Sequence, residues 1–166
     1  PKGMDKILVD SIGDVIVTND GATILDKMDV EHPAAKMLIE VAKAQDTSVG
    51  DGTTTVVVLT GELLKRAEDL IEQKIHPSTI ITGYRRAVDI ALQELQRIAK
   101  PIKLEDKETL KKIVGTSLGS KSLGFAAEHI ADLAIEAVLK IVEERDGRLY
   151  ADKDNIQIVK KMGKSL

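Results

Sequence analysis

The apolar positions of this chain change period several times, and each change marks an element. Residues 5–21 read DKILVDSIGDVIVTNDG. Ile7-Leu8-Val9 and Val15-Ile16-Val17 are short apolar, largely β-branched runs flanking the turn Ser11-Ile12-Gly13-Asp14, which makes the segment a hairpin by its chemistry. A lone hairpin is barely stable in water, so it is expected to pair with something else. Asn19-Asp20-Gly21 is a second turn signal. From His32 the spacing becomes helical, with Pro33 suited to a first-turn position and Met37, Leu38, Val41 and Ala42 on one face. Gln45 to Gly52 interrupts that face with polar residues and two glycines.

The next helix is expected from Thr53 to about Lys74. Its first half, Val56-Val57-Val58-Leu59, is apolar all round and reads as buried on every side. Its second half is amphipathic through Leu63, Leu64, Ala67, Leu70 and Ile71. His76-Pro77-Ser78 punctuates the chain. A long helix follows from about Ser78 to Lys100, with Ile80, Tyr84, Val88, Ala91, Leu95 and Ile98 recurring at three and four. Pro101 ends it. Asp106 reads as the N-cap of a helix over Lys107–Leu118. Gly119 to Gly124 is a loop, and Phe125 to about Glu144 a last long helix. Arg145-Asp146-Gly147-Arg148 is a turn, and Asn155–Val159 reads as a short strand. The class is mainly α: a helical bundle with a β-hairpin near the N-terminus and a short strand near the C-terminus.

Composition narrows the function. With 166 residues, 43% hydrophobic and 31% charged, the chain has the balance of a globular domain with a sizeable core. Aromatic residues make up only 2% of it, so the core is aliphatic and base-stacking platforms are lacking. The net charge of −3, without a basic stripe, argues against nucleic acid as a partner. There is no cysteine, which excludes disulfide and thiolate-zinc frameworks and suits a reducing, cytoplasmic setting. No apolar run reaches the roughly 18 residues of a membrane span. The chain opens on Pro1 rather than Met, which reads as processing, truncation or a fragment.

Val49-Gly50-Asp51-Gly52-Thr53-Thr54-Thr55 is the strongest candidate for chemistry. A helix N-terminus offers unpaired N–H groups and the positive end of the helix dipole to a phosphate. Gly50 and Gly52 let backbone approach a bulky anion, and three threonines add hydroxyls. Asp51 would repel a phosphate unless Mg2+ lay between them. The same residues also make an ordinary turn and cap, and pattern alone leaves both readings open. Thr18-Asn19-Asp20-Gly21-Ala22-Thr23 repeats the theme, as a second carboxylate at a glycine turn or as a plain turn after a strand. Thr116-Ser117-Leu118-Gly119-Ser120-Lys121 could touch a phosphate or ribose, or be an ordinary loop. Gly163-Lys164-Ser165 imitates the end of a P-loop, but the required earlier glycine falls on Ile158, so a P-loop is rejected. Lys160, Lys161 and Lys164 form a basic cluster there. His32, His76 and His129 have no metal-ligand spacing.

Pro1-Lys2-Gly3-Met4-Asp5-Lys6, Thr18-Asn19-Asp20-Gly21-Ala22-Thr23-Ile24 and Gly50-Asp51-Gly52-Thr53-Thr54, in that order, closely resemble the nucleotide-binding signatures of group II chaperonins. These are the archaeal thermosome and the eukaryotic cytosolic chaperonin. His32-Pro33-Ala34-Ala35-Lys36 and Gln73-Lys74-Ile75-His76-Pro77 fit as well, so the resemblance runs along essentially the whole chain. It implies an equatorial-domain fold, with residues 1–150 in the N-terminal part of the ATP-binding domain and 151–166 leading toward an intermediate domain. It implies ATP or ADP and Mg2+ as ligands, partner subunits in a double ring, and unfolded-protein clients held by an apical domain outside these residues. ATP binding and hydrolysis would drive lid closure. By resemblance, Asp51 is the Mg2+ ligand; Gly52, Thr53, Thr54 and Thr55 are the phosphate cradle. Asp20 is the catalytic carboxylate acting with metal and water, with Gly21 beside it. Pro1 and Lys2 belong to a phosphate-side loop, Gly119 and Ser120 to a nucleotide contact, and Lys161 (or Lys160) to a loop sensing the γ-phosphate. The hairpin resembles a stem-loop that adds strands to a neighbouring subunit. A second chaperonin aspartate and most of the adenine pocket lie outside these residues. The alternative is therefore a non-enzymatic assembly fragment with an incomplete nucleotide site.

Overall fold

Strand β1 (Lys6–Val9) and strand β2 (Val15–Thr18) pair antiparallel, with Ile7 opposite Val17 and Val9 opposite Val15. The Asp10 carboxylate ties the turn by accepting from the N–H groups of Ile12 and Asp14 at 3.0 and 2.9 Å. In this computed structural model, residues 3–10, 12–121, 123–159 and 161–163 are described. They fall into two compact units, residues 1–101 and 102–166.

In the first unit the hairpin leads into helix α1 (Gly21–Lys27), α2 (Pro33–Val49), α3 (Thr53–Glu72) and α4 (Pro77–Ile98). Helix α1 packs on α2 and α3, α2 on α3, and α3 on α4. Each start has a local cause. Asp20 caps α1, while His32 and His76 cap α2 and α4 through Nδ1, each followed by a proline at the first helical position. The Tyr84 hydroxyl donates to the Leu63 carbonyl at 2.6 Å and pins α4 to α3. The salt bridge from Lys43 to Asp26, at 2.7 Å, joins α2 to α1.

Two features of this unit differ from the sequence expectation. Helix α1 starts in residues read as a turn and continues through residues given no element, because seven residues show too little of a helical period to register. Helix α2 continues through Gln45 to Val49, where the polar residues were read as a break. Polar side chains end a helix only when the backbone is diverted, and that happens at Gly50, which is left-handed at φ 70 and donates its N–H to the Asp46 carbonyl at 2.8 Å.

In the second unit α5 (Lys107–Leu118) packs on α6 (Ala127–Ile141), which a 3-10 turn over Gly124–Ala126 introduces. Lys111 reaches from α5 to Glu128 and Asp132, both at 3.0 Å. Strands β3 (Glu143–Arg145) and β4 (Arg148–Tyr150) then form a second hairpin. Asp146 and Gly147 at its tip both have positive φ, 53 and 71, which is the turn that matches strand twist. The short strand expected at Asn155–Val159 is not formed. A 3-10 turn covers Lys153–Asn155, residues 156–159 have no regular structure, and no described strand pairs with them. The C-terminal strands are instead those flanking the Arg145–Arg148 turn.

The buried apolar residues are mostly alanines (Ala22, Ala42, Ala126 and Ala131), with Ile80 and Ile135. Small residues let the helices approach closely, while larger apolar side chains stay outside. Val58 and Leu59, expected to be buried on every side, are 60% and 57% exposed, since among the described residues α3 packs mainly against α1, α2 and α4.

Candidate functional site

Two glycine turns separated by 31 residues of sequence meet at the N-termini of α1 and α3. Asp20 precedes α1 in extended conformation, and its Oδ2 accepts from the N–H and the hydroxyl of Thr23, both at 2.9 Å. Its Oδ1 accepts from the hydroxyl of Thr53, the first residue of α3, at 3.2 Å. Gly21 makes this meeting possible. A Cβ there would stand 2.8 Å from Thr54 Oγ1, 3.0 Å from Thr54 N and 3.2 Å from Thr53 Oγ1.

The loop before α3 is built by two left-handed glycines, Gly50 at φ 70 and Gly52 at φ 77, with Asp51 between them. Asp51 Oδ1 accepts from the N–H of Gly52 at 2.8 Å. The Asp51 carbonyl accepts from Gln45 Nε2 at 2.8 Å, and that amide would lie 3.3 Å from a Cβ on Gly52. Gly52 is the N-cap of α3 and supplies no side-chain cap. Helices α1, α2, α4 and α5 all receive one, whereas α6, like α3, does not. The first turn of α3 presents its dipole end without a side-chain hydrogen bond from its own N-cap residue.

These residues fit a magnesium-bound phosphate. Gly50 and Gly52 clear the backbone, the α3 terminus is electropositive, Thr54 and Thr55 carry hydroxyls, and Asp51 supplies a hard oxygen donor. Among the described residues no group of three or more His, Asp or Glu could hold a metal by itself. Mg2+ does not need one, since it takes one or two carboxylates and fills its shell with water and phosphate oxygens.

The structure thus brings Asp20, Gly21, Thr53 and Thr54 together, with Asp51, Gly52 and Thr55 contiguous to them. Gly119 and Ser120 belong to the second unit and close the end of α5. The Gly119 N–H donates to the Gly115 carbonyl at 2.9 Å, and Ser120 Oγ to the Ser117 carbonyl at 2.8 Å. Lys161 lies in that unit on an exposed stretch without regular structure. Pro1, Lys2, Lys160 and Lys164 lie outside the described residues. Gln45 was missed from sequence. Its only signal was a polar residue near the end of an apolar helix face, which reads equally well as a helix stop.

Beside the junction lies a cleft of about 220 Å³ lined by Met4, Ile24, Leu25, Val57 and Val58 among others. Its lining is mostly apolar, and it adjoins the junction directly, since Gly21 and Thr54 border it together with Asn19 and Lys6.

The family model of the TCP-1/cpn60 chaperonins matches residues 1–166. Thermosome subunit alpha of Archaeoglobus fulgidus is 57% identical over 166 residues, covering 100% of this chain and 30% of that protein. Thermosome subunit beta of Desulfurococcus mucosus is 57% identical over 166 residues, covering 100% and 33%. A thermosome subunit of Pyrococcus horikoshii is 56% identical over 163 residues, covering 98% and 30%. The chain spans about a third of the length of these curated relatives.

Proposed function

This chain belongs to the TCP-1/cpn60 chaperonin family, and from that we propose that it is the N-terminal part of a chaperonin subunit's equatorial domain, binding the phosphates of Mg-ATP and Mg-ADP. Residues 1–150 form that part, and 151–166 lead toward an intermediate domain. In the whole subunit, ATP binding and hydrolysis drive lid closure around unfolded protein inside a homo- or hetero-oligomeric double ring of chaperonin subunits in the cytoplasm. The observation that carries this reading is the glycine-capped start of α3 behind the left-handed Gly50-Asp51-Gly52 turn, joined to Asp20.

Each residue then has a task. Gly50 and Gly52 hold the loop in the left-handed turns that let backbone approach an anion. The N–H groups of the first turn of α3 and the hydroxyls of Thr54 and Thr55 donate to phosphate oxygens. Asp51 holds Mg2+, which when bound offsets the charge of the phosphates and polarises them. Asp20 stands at the adjoining helix start, where its carboxylate orients the attacking water. Pro1, Lys2, Gly119, Ser120 and Lys161 complete the nucleotide contacts by resemblance alone.

Calorimetric titration of ADP into the purified chain tests this. With Mg2+, saturable binding is expected; with EDTA, or in Asp51→Ala, it should be lost. A folded chain that binds ADP equally well without Mg2+ and without Asp51 contradicts the proposal.

One observation favours the assembly reading as well. Ile7, Val9, Val15 and Val17 share one face of the β1–β2 hairpin and are all more than half exposed, at 72%, 66%, 63% and 66%. Such a two-stranded ribbon suits addition to another subunit's sheet. Oligomers that form with no nucleotide binding in the same titration would favour that reading over the first.

A further inference from the structure

The three threonines that open α3 are not equivalent. Thr53 is 3% exposed, whereas Thr54 is half-buried and Thr55 exposed. The Thr53 hydroxyl donates to Asp20 Oδ1 at 3.2 Å. A hydroxyl has one hydrogen, so one that donates to Asp20 cannot at the same time donate to a phosphate. On the far side of the same carboxylate, Oδ2 is held by the N–H and hydroxyl of Thr23. The carboxylate is thus gripped from α1 and from α3. Backbone contact reinforces the grip, since Gly21 leaves no room for even a methyl group against Thr54.

We infer that Thr53 is a positioning residue: its hydroxyl orients the Asp20 carboxylate and locks the α1 turn to the α3 turn, leaving the phosphate-facing hydroxyls to Thr54 and Thr55. This rests on the nucleotide-site reading above. A hydrogen bond to a carboxylate is stronger than one between neutral groups, and this part-buried one helps fix the angle at which the carboxylate faces its surroundings. Valine at position 53 keeps the shape and removes the donor, whereas serine keeps the donor.

The test is calorimetric titration of Mg2+ and the non-hydrolysable ATP analogue adenylyl imidodiphosphate into the full chain. Wild type, Thr53→Val, Thr53→Ser, Asp20→Ala and the Thr53→Val/Asp20→Ala double variant are compared, with helical content checked by circular dichroism. Thr53→Val is expected to weaken binding roughly threefold to tenfold, the loss of one hydrogen bond. Thr53→Ser is expected to stay within about twofold of wild type, and Thr53→Val to add nothing once Asp20 is absent. Equal losses in both backgrounds would mean that the hydroxyl touches the nucleotide directly, and wild-type affinity in Thr53→Val would mean that it does nothing; either overturns the inference. If Thr53→Val loses helical content, Thr53→Ala is read by the same criterion. Absence of binding by the wild type overturns the nucleotide reading itself, and this inference with it.

Discussion

Gly21 shows how much rests on a missing side chain. Alanine is the better helix former by about 1 kcal/mol, so propensity alone favours Gly21→Ala. Packing opposes it, because the new methyl would meet a backbone nitrogen at 3.0 Å and two threonine hydroxyls at 2.8 and 3.2 Å. Backbone cannot swing aside as a side-chain tip can. Gly21→Ala is therefore expected to destabilise by about 1–3 kcal/mol, the usual cost of overpacking, read as a lower urea midpoint. Gly61 and Gly83 supply the comparison, since a Cβ at either meets nothing within 4 Å. Alanine at those two sites should leave the midpoint unchanged or raise it. A Gly21→Ala protein as stable as these controls would refute the close junction. At this scale the sequence singled out Asp20, Gly21, Asp51 and the threonines, which lie at the starts of α1 and α3. That Thr53 donates to Asp20 was not visible, because the partners lie 33 residues apart.

Helix starts carry the signal at the scale of elements. Asp106 was legible as a cap, and it accepts from the Thr109 N–H at 3.0 Å and the Thr109 hydroxyl at 2.7 Å. The hydroxyl first, and the N–H second, hold the Asp106 carboxyl below the ordinary aspartate value. Its pKa is lower in the folded chain than in the unfolded one, so the ionised form stabilises α5. That contribution is complete above about pH 4 and fades as pH falls through the lowered native value. Asp106→Ala should unfold at lower urea than wild type near neutral pH, and the gap should close toward pH 3. A gap that does not depend on pH would show that charge plays no part in this cap. The elements that escaped sequence reading did so for definite reasons. Helix α1 is too short to display a period, α2 hides its last turn behind polar residues, and the alternation at 155–159 has no described partner strand.

For the molecule as a whole, the exposed apolar side chains are the telling feature. In the first unit they include Val58, Leu59 and Leu63 on α3 and Val88, Leu92, Leu95 and Ile98 on α4. Apolar surface of that extent favours association. The chain alone is expected to enhance the fluorescence of anilinonaphthalene sulfonate under native conditions. Its sedimentation coefficient should rise with protein concentration. A dye-silent chain that stays monomeric throughout would mean that these faces are covered in solution.

The sequence by itself determined the helical class, the positions of four helices to within a few residues, the N-terminal hairpin and the membership signatures of the family. These follow from local physics: period, proline and glycine geometry, and capping chemistry act over a few residues. Tertiary structure alone decided that Val58 and Leu59 are exposed, that Gln45 braces the Asp51 turn, and that the Asp20 and Thr53 turns share a hydrogen bond. Burial and long-range hydrogen bonding depend on what lies opposite a face. A hydrophobic run states only that a surface is apolar, and the packing of other elements decides whether it is covered.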